Sequence, residues 1–214
     1  MVSSWSPSSD SIALFANADL PDTPRIRHLL SKCPCILAVD GGLRHCNTFK
    51  RLPELLIGDF DSYLPHFSST YQNIPQIHTP DQNYTDLEKA LRFLLPFHPS
   101  KITVFGAIGG RLDHTLKNLS LLTHYPGQLF FETPTEQIHC LQKKSLITCT
   151  QGQTLSLVPY GTATKVTTSG LQWNLQRATL DKNFVSISNR SLTEQISIDY
   201  ETGDLLLCLN FLEQ

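Results

Sequence analysis

No hydrophobic run in the chain approaches the roughly 20 residues that span a bilayer. The N-terminus, MVSSWSPSSDSIALFAN, places no positive charge ahead of its short apolar stretch, so neither a membrane span nor a signal peptide is expected. There is no CxxC pair and no HExxH: the 6 cysteines and 8 histidines are scattered without zinc-ligand spacing. Cysteines used this way point to reduced thiols in a cytoplasmic protein. Excess charge is also missing. The 17 Lys and Arg stand against 19 Asp and Glu, a formal charge of -2, which argues against nucleic acid or an anionic membrane as partner. No GK[ST] follows the glycine-rich stretch GAIGG, so there is no Walker A loop. Internal repeats and low-complexity segments are absent as well.

The 214 residues, 40% hydrophobic and 17% charged, have the balance of a globular protein with a buried core. Two textures divide them. Up to about residue 133, strand-like runs (11–17, 35–42, LPELLIGDF, 101–107, 128–132) alternate with helix-like ones (23–32, 85–97, 111–125). Leu87, Ala90, Leu91 and Leu94 recur at helical spacing, and Leu112, Leu116 and Leu119 form a second stripe. Such alternation predicts an α/β fold with a mainly parallel sheet covered on both faces. From residue 134 the pattern becomes short Thr-, Ser-, Val- and Ile-rich pieces separated by Gly, Asn and Asp, which predicts a small all-β sandwich. In that half EQISIDY, the turn ETGD and DLLLCLNF read as a hairpin. The expected domains are therefore 1–133 and 134–214.

Chemistry concentrates where the expected strands end. CILAVDGG closes on Asp40, with Gly41 and Gly42 leaving room for a close approach to the backbone. LLIGDFDS closes on Asp59 and Asp61. HTPDQNYTDLEKAL leads a loop into a helix whose first turn carries Asp86, and VFGAIGGRLDH leads through Gly106, Gly109 and Gly110 to Arg111 and Asp113. Each has a plain structural account. Thr85 and Glu88 fit a capping box with Asp86 as a favourable first-turn acid, and Asp113 with Lys117 fits an i,i+4 surface pair. Taken together, four acidic stations converge on the carboxyl edge of one sheet, where open α/β folds bind ligands. Carboxylates so gathered need a counter-charge. Magnesium, which prefers oxygen ligands and phosphate oxygens, is the economical one. Arg111, at a glycine-rich helix start, offers a fork of donors suited to phosphate. The residues alone thus predict a Mg-dependent enzyme acting on a phosphorylated substrate.

AVDGG (38–42), IGDFDS (57–62), TPDQNYTDLEKAL (79–91) and FGAIGGRLDHTLKNL (105–119) resemble the catalytic motifs of the thiamine pyrophosphokinases in kind, order and spacing. SGLQWNL (169–175) and VSISN (185–189) resemble that family's thiamine site. The chain departs from the pattern at Ala18, where a glycine is common. The resemblance implies an α/β catalytic domain followed by a β-sandwich, a homodimer with active sites between subunits, and transfer of the pyrophosphoryl group of ATP to the hydroxyl of thiamine. Thiamine diphosphate and AMP would be the products. It implies Asp59, Asp61 and Asp86 as Mg²⁺ ligands, and Asp40, Asp86, Arg111 and Asp113 at the reacting centre. Along the ATP it implies Gly41, Gln82, Thr85, Gly109, Gly110 and Arg111. Either Asp86 or Asp113 would accept the hydroxyl proton. Trp173, Ser188 and Asn189 would bind thiamine, with a core aromatic as the plain reading of Trp173. Another Mg-dependent phosphotransferase or phosphohydrolase, or a non-catalytic thiamine- or nucleotide-binding module, are the alternatives.

Overall fold

The computed structural model of the chain describes residues 5–60 and 71–211, so Asp61 lies outside the described residues. The chain divides into two compact units. One is built on residues up to Asn118 with Phe131–Pro134, the other on Leu119–Phe130 with Thr135 onward.

The first unit is organised by β1 (Ser11–Phe15), β2 (Cys35–Val39), β3 (Leu55–Gly58), β4 (Gln76–His78) and β5 (Lys101–Phe105), side by side in the order β4-β3-β2-β1-β5. All four pairings are parallel. Strands β2 and β3 are buried at every position, as a sheet covered on both faces requires. On one face Ala13, Phe15, Ile36, Ala38, Leu56 and Phe105 pack with Ile26 and Leu30 of α1 (Pro24–Ser31) and with Leu43, Cys46 and Phe49 of α2 (Leu43–Phe49). On the other, α3 (Asp86–Leu94) lies against β2 and β3 and buries Leu87, Ala90, Leu91 and Leu94, the stripe expected from the sequence. Thr23 caps α1 and Thr85 caps α3 through their hydroxyls.

Helix α4 (Leu112–Leu122) departs from expectation. Its stripe does not enter a core at the start: Leu112 and Leu116 are exposed, while Leu121 and Leu122 are buried. Helix α2 and strand β4 have no counterpart among the expected elements. Strand β6 (Leu129–Glu132) follows α4 in the chain.

The second unit is antiparallel: β7 (Glu136–Cys140), β8 (Lys144–Thr148), β9 (Thr154–Ser169), β10 (Ala178–Leu180), β11 (Ser186–Arg190), β12 (Gln195–Asp199) and β13 (Thr202–Asn210). Not every piece is short as expected: β9 is one 16-residue strand. Its first half pairs with β13 and β11, and its second half pairs mainly with β12 and β10. The expected β12–β13 hairpin does not form. Strand β12 pairs with β8 and β9, and β13 with β7 and β9, so the ETGD turn carries the chain from one set of pairings to the other. Backbone bonds from Tyr200 N to Lys143 O and from Glu201 N to Thr164 O compete with hairpin closure and win. Leu155, Leu157, Val166, Leu180, Ile196, Ile198, Leu205 and Leu207 form the core between them.

The chain is thus a mixed α/β unit followed by a β-rich one, and its strand pairing is mixed, parallel in the first unit and antiparallel in the second. Among the described residues no helix is long and apolar enough to cross a membrane.

Candidate functional site

Within the first unit a cavity of about 680 Å³ opens at the carboxyl ends of the parallel strands. Its walls are the segments that leave those strands: residues 16–18 after β1, Asp40 after β2, Asp59 after β3, and Gly106, Ala107, Gly109 and Gly110 after β5, joined by Thr85 and Asp86 at the start of α3 and Arg111, His114 and Asn118 around α4. Strand order reverses direction at β1, whose neighbours are β2 and β5, and loops from both sides of that point line the cavity. This is where open α/β sheets leave a crevice.

Ligand-atom oxygens of Asp40, Asp59 and Asp86 all lie within 4.8 Å of one another, and all three residues are half-buried. Asp40 is held at φ 43° at the end of β2, a left-handed conformation that L-residues avoid without a compensating reason. Three hard carboxylate oxygens so placed suit a divalent cation of the magnesium type and no soft metal. Gln82 adds its amide, Nε2 lying 3.4 Å from Asp59 Oδ2.

Asp86 is positioned from two directions. Thr85 caps α3 by accepting the Glu88 N–H at 3.3 Å. Lys89, one turn on, donates to Asp86 Oδ1 at 3.0 Å and to the Thr79 carbonyl at 2.9 Å. The expected capping box is only half made, because Glu88 pairs with Lys117 at 2.9 Å and Arg92 at 3.2 Å. Burial alone would raise the Glu88 carboxyl, but the hydrogen bonds and charges of Lys117 and Arg92 outweigh it and hold the group below the usual range. Arg92 in turn lies over the Tyr84 ring, 3.9 Å from its centroid. The i,i+4 pair expected between Asp113 and Lys117 is therefore absent, since each prefers another partner.

Asp113 is bound by Arg111 in a fork, Nη2 to Oδ2 at 2.6 Å and Nε to Oδ1 at 3.2 Å. The guanidinium draws the Asp113 carboxyl down to about 2. Arg111 lines the cavity and Asp113 does not. Gly109 and Gly110, ahead of them, hold φ 110° and 66°, which a side chain would resist. Gly41 stays outside the lining: it makes room for Asn17, whose Oδ1 would stand 2.4 Å from any Cβ there. Arg44 ties Asn17 and Asp19 at the same rim.

Sequence reasoning missed Arg44, Lys89, His114 and Asn118. For Lys89 a signal existed, since it stands three residues after Asp86 in TDLEKA. Asn118 carries no such signal; its amide reaches the Ala107 carbonyl at 2.7 Å.

In the second unit Trp173 is 58% exposed, so it is no core aromatic. The buried Asn189 fixes its backbone, donating to Trp173 O at 2.8 Å and accepting from Trp173 N at 3.2 Å. The remaining Asn189 bonds go to Ser186 Oγ and from Arg190 N, which occupies the amide within the protein. Ser188 is exposed at φ 57°, its N–H bonded to Ser156 Oγ.

Comparison with known proteins follows both halves. Residues 26–131 match the family model described as "Thiamin pyrophosphokinase, catalytic domain", and residues 135–205 that of the "vitamin B1 binding domain" of the same enzyme. Thiamine pyrophosphokinase 1 of Arabidopsis thaliana is 30% identical over 203 residues, which is 83% of this chain and 72% of the relative. Thiamine pyrophosphokinase 3 of Oryza sativa is 29% identical over 172 residues, 71% of this chain, but the match spans only 63% of the rice protein's length. The crystal structure of thiamine pyrophosphokinase from Bacillus subtilis superposes with a TM-score of 0.83 at 20% identity, covering 95% of this chain and all of that one, a likeness of fold. Matched along both of its parts, the chain belongs to the thiamin pyrophosphokinase family.

Proposed function

We propose that the chain moves the terminal pyrophosphoryl group of ATP to the hydroxyl of thiamine, giving thiamine diphosphate and AMP. The observation that carries this reading is the meeting of Asp40, Asp59 and Asp86 within 4.8 Å in a cavity that also presents Gly109, Gly110 and Arg111, in a member of this family. Phosphoryl-type transfer asks little covalent work of a protein; position and neutralisation of charge supply most of the rate. Asp40, Asp59 and Asp86, with Asp61, are the residues to hold Mg²⁺. The ion, when bound, screens the phosphate charge that repels an incoming hydroxyl.

The other roles belong to the chain's own groups. Gly109 and Gly110 let the ATP phosphates approach the backbone, Gln82 and Thr85 border them, and Arg111 stabilises charge growing on the β-phosphoryl oxygens. For AMP to leave, the thiamine oxygen must attack the β-phosphorus, in line with the departing α-phosphate. The hydroxyl proton passes to Asp86 rather than Asp113, because Asp86 lines the cavity and Asp113 does not. Asp113 serves by aiming the Arg111 fork. Thiamine, a cation with two flat rings, stacks on the exposed indole of Trp173, with Ser188 at its edge and Asn189 holding the loop.

On this reading residues 1–133 are the catalytic domain, with its parallel sheet, and 134–214 a thiamine-binding sandwich. The protein works in the cytoplasm as a homodimer whose active sites lie between subunits. Incubation with thiamine, ATP and Mg²⁺, followed by separation of the nucleotides, tests the reaction. AMP with thiamine diphosphate is expected. ADP with thiamine monophosphate would mark a simple kinase, and free phosphate a hydrolase. Light scattering on the eluting protein tests the dimer.

A further inference from the structure

Lys89 is a cation, yet its side chain is only 7% exposed. A buried ammonium persists where it is paired and hydrogen-bonded. Lys89 has two partners: Asp86 Oδ1 at 3.0 Å and the carbonyl of Thr79 at 2.9 Å. Thr79 directly follows β4 and is itself tied to β3, its N–H bonded to the Gly58 carbonyl at 2.9 Å. The segment between Thr79 and Asp86 carries Gln82, whose amide reaches Asp59. One ammonium therefore closes that segment at both ends and fixes the rotation of the Asp86 carboxylate. That bond takes up only part of the carboxylate and leaves its remaining lone pairs for the cluster.

The arginines that line the cavity are engaged elsewhere. Arg44 is held by Asn17 and Asp19, and Arg111 by Asp113. The geometry points to Lys89 as a positioning residue for the carboxylate cluster: it holds Asp86 in the orientation that accepts a divalent cation, touching neither substrate nor cation. This rests on the reading of Asp40, Asp59 and Asp86 as the metal site. Partners that orient a metal-binding carboxylate usually contribute 10–100-fold to metal affinity.

The test uses the whole chain without nucleotide and Mn²⁺ alone, with free Mn²⁺ read by electron paramagnetic resonance. Wild type is expected to bind Mn²⁺, and Asp59→Asn to lose that binding. Lys89→Met, similar in volume but with no donor, should weaken binding about 10–100-fold. Lys89→Arg, which keeps charge and donors, should recover part of it. In turnover, Lys89→Met should raise the metal concentration for half-maximal rate while the KM for thiamine stays put. If Lys89→Met fails to fold by circular dichroism, Lys89→Gln, with one amide donor, takes its place.

Unchanged Mn²⁺ affinity in the Met or Gln variant overturns the inference while leaving the metal site intact. Tighter binding also overturns it, because Lys89 would then act as a competing charge and not as an orienting group. Should wild type bind no Mn²⁺ that responds to Asp59→Asn, the metal reading itself falls, and this inference with it.

Discussion

Helices α3 and α4 each carry in their first turn an aspartate gripped by a basic neighbour, yet the two grips differ in kind. Asp86 is held by Lys89, whose side chain is 7% exposed, through a bond shared with a backbone carbonyl. Asp113 is held by Arg111, whose side chain is 73% exposed, in a fork open to solvent. An exposed ion pair contributes little to stability and is easily exchanged for another partner. A buried one resists exchange, because separating it strands a charge. The first helix start is therefore built to hold one geometry. The second is built to release its cation, and a phosphate arriving at Arg111 needs only to outbid one carboxylate. Fixed acids and a movable arginine divide the cavity between them.

The sharpest way to break this contrast is Asp86→Asn. Turnover should fall by more than about 10³-fold, since an amide no longer carries the charge of the cluster. Circular dichroism should show the fold intact, and wild-type turnover would remove Asp86 from the site. Arg111→Ala should come next, with turnover down about 10²-fold and the melting temperature unmoved, as suits a solvent-exposed fork. The double variant Arg111→Ala, Asp113→Asn should be no slower than Arg111→Ala alone, because Asp113 acts through the arginine. An additive double loss would give Asp113 a task of its own.

In the second unit Trp173 combines both principles, an exposed ring on a clamped backbone. Trp173→Ala should raise the KM for thiamine about 10-fold, in keeping with a stacking and cation–π loss of ~1–2 kcal/mol. The KM for ATP should stay level, and an equal rise in both would mark a packing role. The smallest effect belongs to Glu88→Gln. Its partners are half exposed, so the loss in stability should be about 1 kcal/mol, or roughly 2–4 °C in Tm. Glu88 has a folded-state value below its unfolded one. Its stabilisation is therefore complete above the unfolded value and is lost as pH falls through the folded one. Melting curves of wild type and Glu88→Gln should converge in that acid range, and a gap that persists below it would detach the effect from ionisation.

Much of the first unit was legible because its strands and helices are regular and their apolar spacing is dictated by burial. Asp40 and Asp59 could be placed at strand ends, and Thr85 at a cap, from local pattern alone. What stayed hidden depends on partners distant in sequence. Helix α2, LRHCNTF, has a weak stripe and is held by packing against β1 and β2. Strand β4 is three residues long and mostly exposed, below what periodicity can register. Lys117 could be paired with Asp113 by spacing, but its true partner Glu88 arrives from another helix. The stripe Leu112, Leu116, Leu119 satisfied the helical rule without revealing that its first turns face solvent. The hairpin failed for a similar reason: ETGD has turn chemistry, and turn chemistry does not name the strands on either side. The cluster was legible as convergence of acids on one rim, whereas the lysine that orients it carries no signature beyond its position.

Strand β9 has a consequence for how the second unit comes apart. Its 16 residues serve as the middle strand for two different sets of neighbours, with β13 and β11 along one stretch and β12 and β10 along the other. Peeling either set from it bares Leu155 and Leu157, or Ala163 and Val166, from one shared core. Amide protons on both stretches should therefore exchange with solvent in a single concerted opening, and the rate at which they do so would report the melting of the whole unit.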